Sequence, residues 1–213
     1  AAELMVFARY VMFSEVYWHH SVRAATSMFA RSFFELHNRV DTDELFELSE
    51  TEMIARLRAA AEGTPSAPLL EGVFGPRRQL YKRIAEYTHD QDSSIHSTLA
   101  LRPFPDLVRC GNALTRVVSR AIGRPLAETD LLIDGPPPHR EIEFDVDVHD
   151  SRTGRYRRLC EVSPVVDALA RTQFDEFVKR VRIFGRAEVA EILRDRSDLP
   201  DLVQEAVAEG CGR

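Results

Sequence analysis

The chain has 213 residues, 44% apolar and 29% charged. That is an ordinary globular composition, long enough for one sizeable core or two small ones. A formal net charge of −6 gives no general pull toward nucleic acid or anionic lipid, so any phosphate recognition must be local. Cys110, Cys160 and Cys211 form an odd, widely spaced set. They suggest neither a disulfide framework nor a zinc site, and reduced thiols in a cytoplasmic protein are the expectation.

Residues 1 to about 37 contain no Pro and no Gly. Leu4, Phe7, Val11, Trp18, Val22, Ala25, Phe29, Phe33 and Leu36 recur at steps that draw one stripe on a helix. Arg9, Phe13, Val16, Tyr17 and His20 fall on the opposite side. A helix greasy nearly all round is expected to be buried, and a buried Arg9 needs an anionic partner. Glu3, Arg9 and Glu15 exclude a signal peptide or a membrane span in this helix. The missing initial Met and the start inside a helix suggest a fragment whose N-terminal part has been removed.

After a polar break at Val40–Phe46, Ser49 and Glu52 form a capping-box pattern before a helix carrying Met53, Ile54, Leu57, Ala60 and Ala61. Pro and Gly at 63–76 mark loops and a subdomain boundary near 76. Beyond it, Gln79–Tyr87 reads as a strand and Pro105–Ile122 as a helix closed by Gly123. Asp130–Asp134 reads as a short strand. Ile142–Val148 and Tyr156–Val162 read as a hairpin turning at Ser151–Gly154. Ser163-Pro164 caps a helix carrying Val165, Val166, Leu169, Ala170 and Phe174. Val178–Phe184 is a last strand, followed by a charged helix at Ala187–Arg194 and a polar C-terminal segment. The class is α+β. The organisation expected is helical over 1–76 and mixed over 77–185, with a charged helical tail over 186–213.

Arg9, then Tyr17-Trp18-His19-His20, then Arg23 resembles the long helix that follows the metal site in HD-domain deoxynucleoside triphosphate triphosphohydrolases. The second half agrees in order and spacing: Arg78-x-Leu80-Tyr81-Lys82, a strand ending in Asp134-x-Pro136, a hairpin, Ser163 opening a helix, then Arg180–Phe184. The resemblance covers most of residues 4–184. It implies that Arg9 contacts the substrate triphosphate and Tyr17 packs on its sugar. His20 stands where many members carry Lys. It further implies that Arg78 and Lys82 touch an activator nucleotide's phosphates. Four residues apart on a strand, they would share a face. Nucleoside triphosphates and a homo-oligomer, dimer or tetramer, are the implied partners, with no membrane and no strong nucleic-acid binding.

The family chemistry depends on a divalent metal held by His, a His-Asp pair and a later Asp. His89-Asp90 and His149-Asp150 occur here, but each sits in a polar run or at a hairpin tip. Both read as solvated loop residues, and a site at His89, Asp90 and His96 is not expected. The metal ligands of the parent enzyme are therefore expected to lie upstream, leaving this segment inactive by itself. A nucleotide-sensing or oligomerisation module is the alternative reading.

Read without the resemblance, Arg9 fits a structural salt bridge, with Glu15 or an acid elsewhere, and Tyr17 a core aromatic. His19 and His20 fit packed or surface histidines, and Arg23 an ion-pair member. Arg78 and Lys82 also fit an edge strand guarded by charge. Glu143, Asp145 and Asp147 fit the wet face of a strand, and Ser163 a helix cap rather than a nucleophile.

Overall fold

A computed structural model describes residues 2–90, 93–136, 146–150, 152–168 and 180–210. The expectations on Ile142–Asp145, Leu169, Ala170, Phe174, Val178, Lys179 and Cys211 lie outside them. The described chain is α+β, mostly helical with two small sheets. It divides into two compact units, each assembled from several segments.

The first unit comprises residues 1–22, 87–102 and 135–181. Helix α1 (Ala2–Met12) runs into a π-helical turn at Phe13–Tyr17, where the Trp18 amide donates to the Phe13 carbonyl at 2.9 Å. The chain then bends at Trp18-His19 before α2 (His20–Leu36) begins. So the opening stretch is two helices joined by a wide turn rather than one. Val6 and Trp18, both about 2% exposed, pack with Leu159 and Val166 to form this unit's core. Leu159 belongs to α8 (Leu159–Val162) and Val166 to α9 (Pro164–Ala168). Ser163, buried between them, accepts from the Val166 amide and so caps α9 as read. The hairpin pairs β3 (Asp147–Asp150) with β4 (Arg155–Arg158), antiparallel, and Gly154 takes the left-handed φ of 68° that its turn requires. Helix α6 (Ser93–Leu99) buries Ile95, His96 and Leu99.

The second unit comprises residues 23–86, 103–134 and 182–213. Its helices are most of α2, α3 (Thr42–Glu47), α4 (Glu50–Ala61), α5 (Ala67–Phe74) and α7 (Phe104–Ile122), with α10 (Ala187–Leu193) and α11 (Leu199–Gly210) toward the end. The strands β1 (Lys82–Tyr87), β5 (Val181–Gly185) and β2 (Leu131–Asp134) form a sheet in the order β1-β5-β2. β2 and β5 run antiparallel, with Leu132 opposite Phe184 and Ile133 opposite Ile183. One apolar cluster joins Ala24 and Met28 of α2 to Leu69, Tyr81, Leu132 and Phe184. Another joins Leu36, Val40, Leu45, Leu57, Ala61 and Leu70. The Ser49–Glu52 capping box is formed on both sides, and Gly123 ends α7 at φ 65°. Buried Tyr81 donates to the Thr129 carbonyl at 3.0 Å, and burial beside Asp130 holds its phenol well above the usual range.

Cys110 on α7 is fully buried, and Cys160 is a half-buried free thiol. No described helix is long and apolar enough to cross a membrane.

Candidate functional site

Arg9, Tyr17 and His20 all lie in the first unit, and all three are exposed. The expectation that Arg9 is sunk among apolar rings does not hold. Helix α1 buries only Val6. Leu4, Met5, Phe7, Val11 and Met12 are 38–71% exposed, as are Val16 and Tyr17 beyond them. A guanidinium facing water needs no built-in acid, and among the described residues Arg9 makes no ion pair. Periodicity showed that these apolar positions share faces; it could not show which face this chain covers.

The π-helical turn changes the geometry of the set. In a uniform α-helix Arg9 and Tyr17 share a side only loosely, since eight residues overshoot two turns. One α-turn of about 3.6 residues and one wider turn holding nearly one residue more together take up about eight. Arg9 and Tyr17 therefore come onto one side of the helix, two turns apart. The Phe13 ring lies between them in sequence and packs on Tyr17 at 4.9 Å between centroids. Past the bend, the His20 ring lies 4.2 Å from that of His19 at the start of α2. The result is an exposed stretch with one cation, two rings packed at a tilt and two imidazoles beyond the bend.

Arg78 and Lys82 belong to the second unit. Lys82 opens β1, but Arg78 precedes the strand by several residues, so the period-two argument for a shared face does not reach it. Both are exposed, as is Arg77, and among the described residues none of the three makes an ion pair.

A charged group that the sequence reading treated only in part is buried in the second unit. Arg23 on α2 donates twice to Asp134 at the end of β2, at 2.9 and 2.6 Å. Arg182 on β5 lies opposite Asp134 in register. It donates to Glu86 on β1 at 2.7 Å, and Arg83 donates to the same Glu86 oxygen at 2.8 Å. Asp134, Arg182 and Glu86 thus run across the three strands of the sheet, with Arg23 of α2 held at the Asp134 end. The group's signal in the sequence was a charge inside each of two otherwise apolar strands, Leu-Leu-Ile-Asp and Val-Arg-Ile-Phe. Arg23 is the ion-pair member its setting suggested.

Among the described residues, His89, Asp90 and His96 do not come together as a metal site. His89 Nδ1 lies 3.5 Å from its neighbour Asp90, and the His89 and His96 rings are 6.0 Å apart, edge to face. Among the described residues no group of three or more His, Cys, Asp or Glu is placed to hold an ion.

Compared with known proteins, residues 1–197 match the family model described as the HD associated region. No curated protein and no solved structure matches the chain.

Proposed function

The chain belongs to the HD-associated-region family, and from that premise we propose that it is part of an HD-type phosphohydrolase acting on deoxynucleoside triphosphates. In this reading the products are deoxynucleoside and triphosphate. The chain then supplies grip, and the metal-activated water comes from the HD domain. Arg9 lies against the triphosphate and offsets the charge that builds on it. Tyr17 gives the deoxyribose a flat apolar surface, and His20 flanks the phosphates. One observation supports the reading: a π-helical turn stands between Arg9 and Tyr17, both of them exposed; a wider turn draws such a pair toward one side of a helix, and π-turns inside helices recur at functional sites.

The apolar side chains exposed along α1, Leu4, Met5, Phe7, Val11 and Met12, form the seat for the HD domain in this account. A contiguous apolar face of this kind marks an interaction surface. The divalent metal would be held by that domain, and assembly as a homo-oligomer follows the family pattern.

A second role rests on Arg77, Arg78 and Lys82, three exposed cations within six residues. They form a phosphate-binding stretch for an effector nucleotide. Thermal-shift titration with GTP and with each deoxynucleoside triphosphate separates the roles. Stabilisation lost in Arg9→Ala but kept in Lys82→Ala supports the substrate face. The reverse supports an effector module and counts against the substrate reading. Supplied with Mg²⁺ or Mn²⁺, the chain alone is expected to release no triphosphate. Hydrolysis by these 213 residues would refute the division of labour.

A further inference from the structure

Arg31 on α2 is 3% exposed, and Ser27, one turn before it on the same face, is 5% exposed. A guanidinium carries five N–H donors in a fixed plane. Here Nε donates to Glu35 at 2.7 Å and Nη2 to Asn112 on α7 at 2.8 Å. The two N–H groups of Nη1 make no hydrogen bond among the described residues. Asn112 in turn donates to Glu128, shortly before β2, at 3.3 Å. Arg31 is thus the centre of a polar chain that joins α2 to α7 within the second unit.

Ser27 departs from the pattern of other buried hydroxyls in this unit. Ser32 and Thr115 each turn a hydroxyl back to the carbonyl four residues earlier, at 2.8 and 3.0 Å. The Ser27 hydroxyl makes no such bond, nor any other among the described residues. It lines a pocket instead, together with Arg31, with Phe104 and Val108 of α7, and with Leu132 and Ile133 of β2. The space there open to the centre of a water molecule is about 10 Å³. That is room for one water and far too little for an organic ligand. The walls are mostly apolar, and Ser27 and Arg31 are the polar side chains on them.

We propose that this pocket binds one ordered water, held between the Ser27 hydroxyl and Nη1 of Arg31. A buried donor left without an acceptor is costly, and a polar chain only partly satisfied is worse than an apolar contact. Water answers both groups: it accepts from the guanidinium and exchanges a hydrogen bond with the hydroxyl. A small anion would suit the same donors. The chain already sets Glu35 and Glu128 against one Arg31, so further negative charge is repelled while neutral water is not. The water fixes the plane of the Arg31 guanidinium and with it the junction of α2 and α7. The site stands apart from the nucleotide contacts proposed above and does not depend on them.

High-resolution crystallography of the full chain tests this directly. A density peak is expected within about 2.7–3.2 Å of both Ser27 Oγ and Arg31 Nη1. Urea unfolding of two variants gives an independent readout. Ser27→Ala removes one partner but leaves the room, and should favour the unfolded state severalfold over the wild type. Ser27→Val fills the room with a methyl group, displaces the water and leaves Nη1 unpaired. It should favour the unfolded state roughly tenfold or more, although Ser and Val differ little in helix propensity. In a dry pocket the added methyl would bury apolar surface and keep or raise the stability. No peak between the two side chains, or a Ser27→Val protein as stable as the wild type, overturns the proposal. A melting temperature raised by formate beyond the same concentration of chloride, with the rise lost in Ser27→Val, would assign the pocket to an anion and overturns it too.

Discussion

Replacing Asp134 by Asn should be among the most destabilising single changes in the second unit, although it alters only an oxygen to a nitrogen. Asp134 is 6% exposed and its partner Arg23 15%. The two form a fork of two charge-assisted hydrogen bonds. In Asp134→Asn one acceptor oxygen remains for Arg23. The negative charge vanishes between Arg23 and the register partner Arg182. Glu86, the acid that Arg182 reaches across the sheet, already accepts from Arg182 and Arg83. Breaking a buried pair by removing one partner costs about 3–5 kcal/mol, and the surviving acceptor places this change near 3. At about 2–4 °C per kcal/mol for a chain of this size, the melting temperature should fall by roughly 6–12 °C. Urea denaturation followed by circular dichroism reads the free energy directly. A loss under about 1 kcal/mol, the value of a solvent-exposed pair, would refute the account of this row as a buried unit. The paired replacement Arg23→Met with Asp134→Leu should recover most of the loss. If the paired variant is no more stable than Asp134→Asn, the penalty lies in shape rather than charge.

Two further changes probe local features. A Cβ at Gly72 would lie 2.6 Å from the Met28 methyl and 2.8 Å from the Gln79 carbonyl oxygen. The methyl can swing away but the backbone cannot. Gly72→Ala should therefore cost about 1–3 kcal/mol in the same urea assay, and a neutral result would mean that the turn after α5 is free to shift. Glu52 is the acidic half of the α4 capping box, and its hydrogen bonds to Ser49 hold its carboxyl below the ordinary range. A carboxyl depressed on folding stabilises above its unfolded pKa and loses that benefit as pH falls through its folded value. The protection of the amides at the first turn of α4, taken relative to their intrinsic exchange rates, should thus fall on acidification in the wild type but stay level in Glu52→Gln, which keeps the cap without the charge. Equal acid sensitivity in both proteins would contradict this.

Features set by local chemistry were legible in the residues. Ser49 with Glu52, Gly123 and Ser163 each occupy the cap their side chains suit, because capping depends on a few neighbouring atoms. The strand ending at Asp134 and the hairpin turn at Gly154 read correctly for the same reason. Helix α5 was hidden because Pro68 looks like a loop marker, yet Pro is compatible with a helix's first turn, where it stands. Helix α11 read as a polar tail. Its Leu199, Val203 and Ala206 are buried among acidic neighbours, and their worth appears only once α7 lies against them. The π-turn at Phe13–Tyr17 left no local signal. It draws Arg9 and Tyr17 closer into line on the side that helical periodicity already gave them.

The account rests most heavily on Arg9 and Tyr17 gripping different parts of one nucleotide. A ³¹P and ¹H NMR titration of the chain with deoxynucleoside triphosphate, inorganic triphosphate and free deoxynucleoside tests this directly. Arg9→Ala should weaken binding of both phosphate compounds, while Tyr17→Ala should weaken the nucleotide and leave inorganic triphosphate unchanged. If Arg9→Ala binds both as the wild type does, the face on the first helix does not hold a nucleotide.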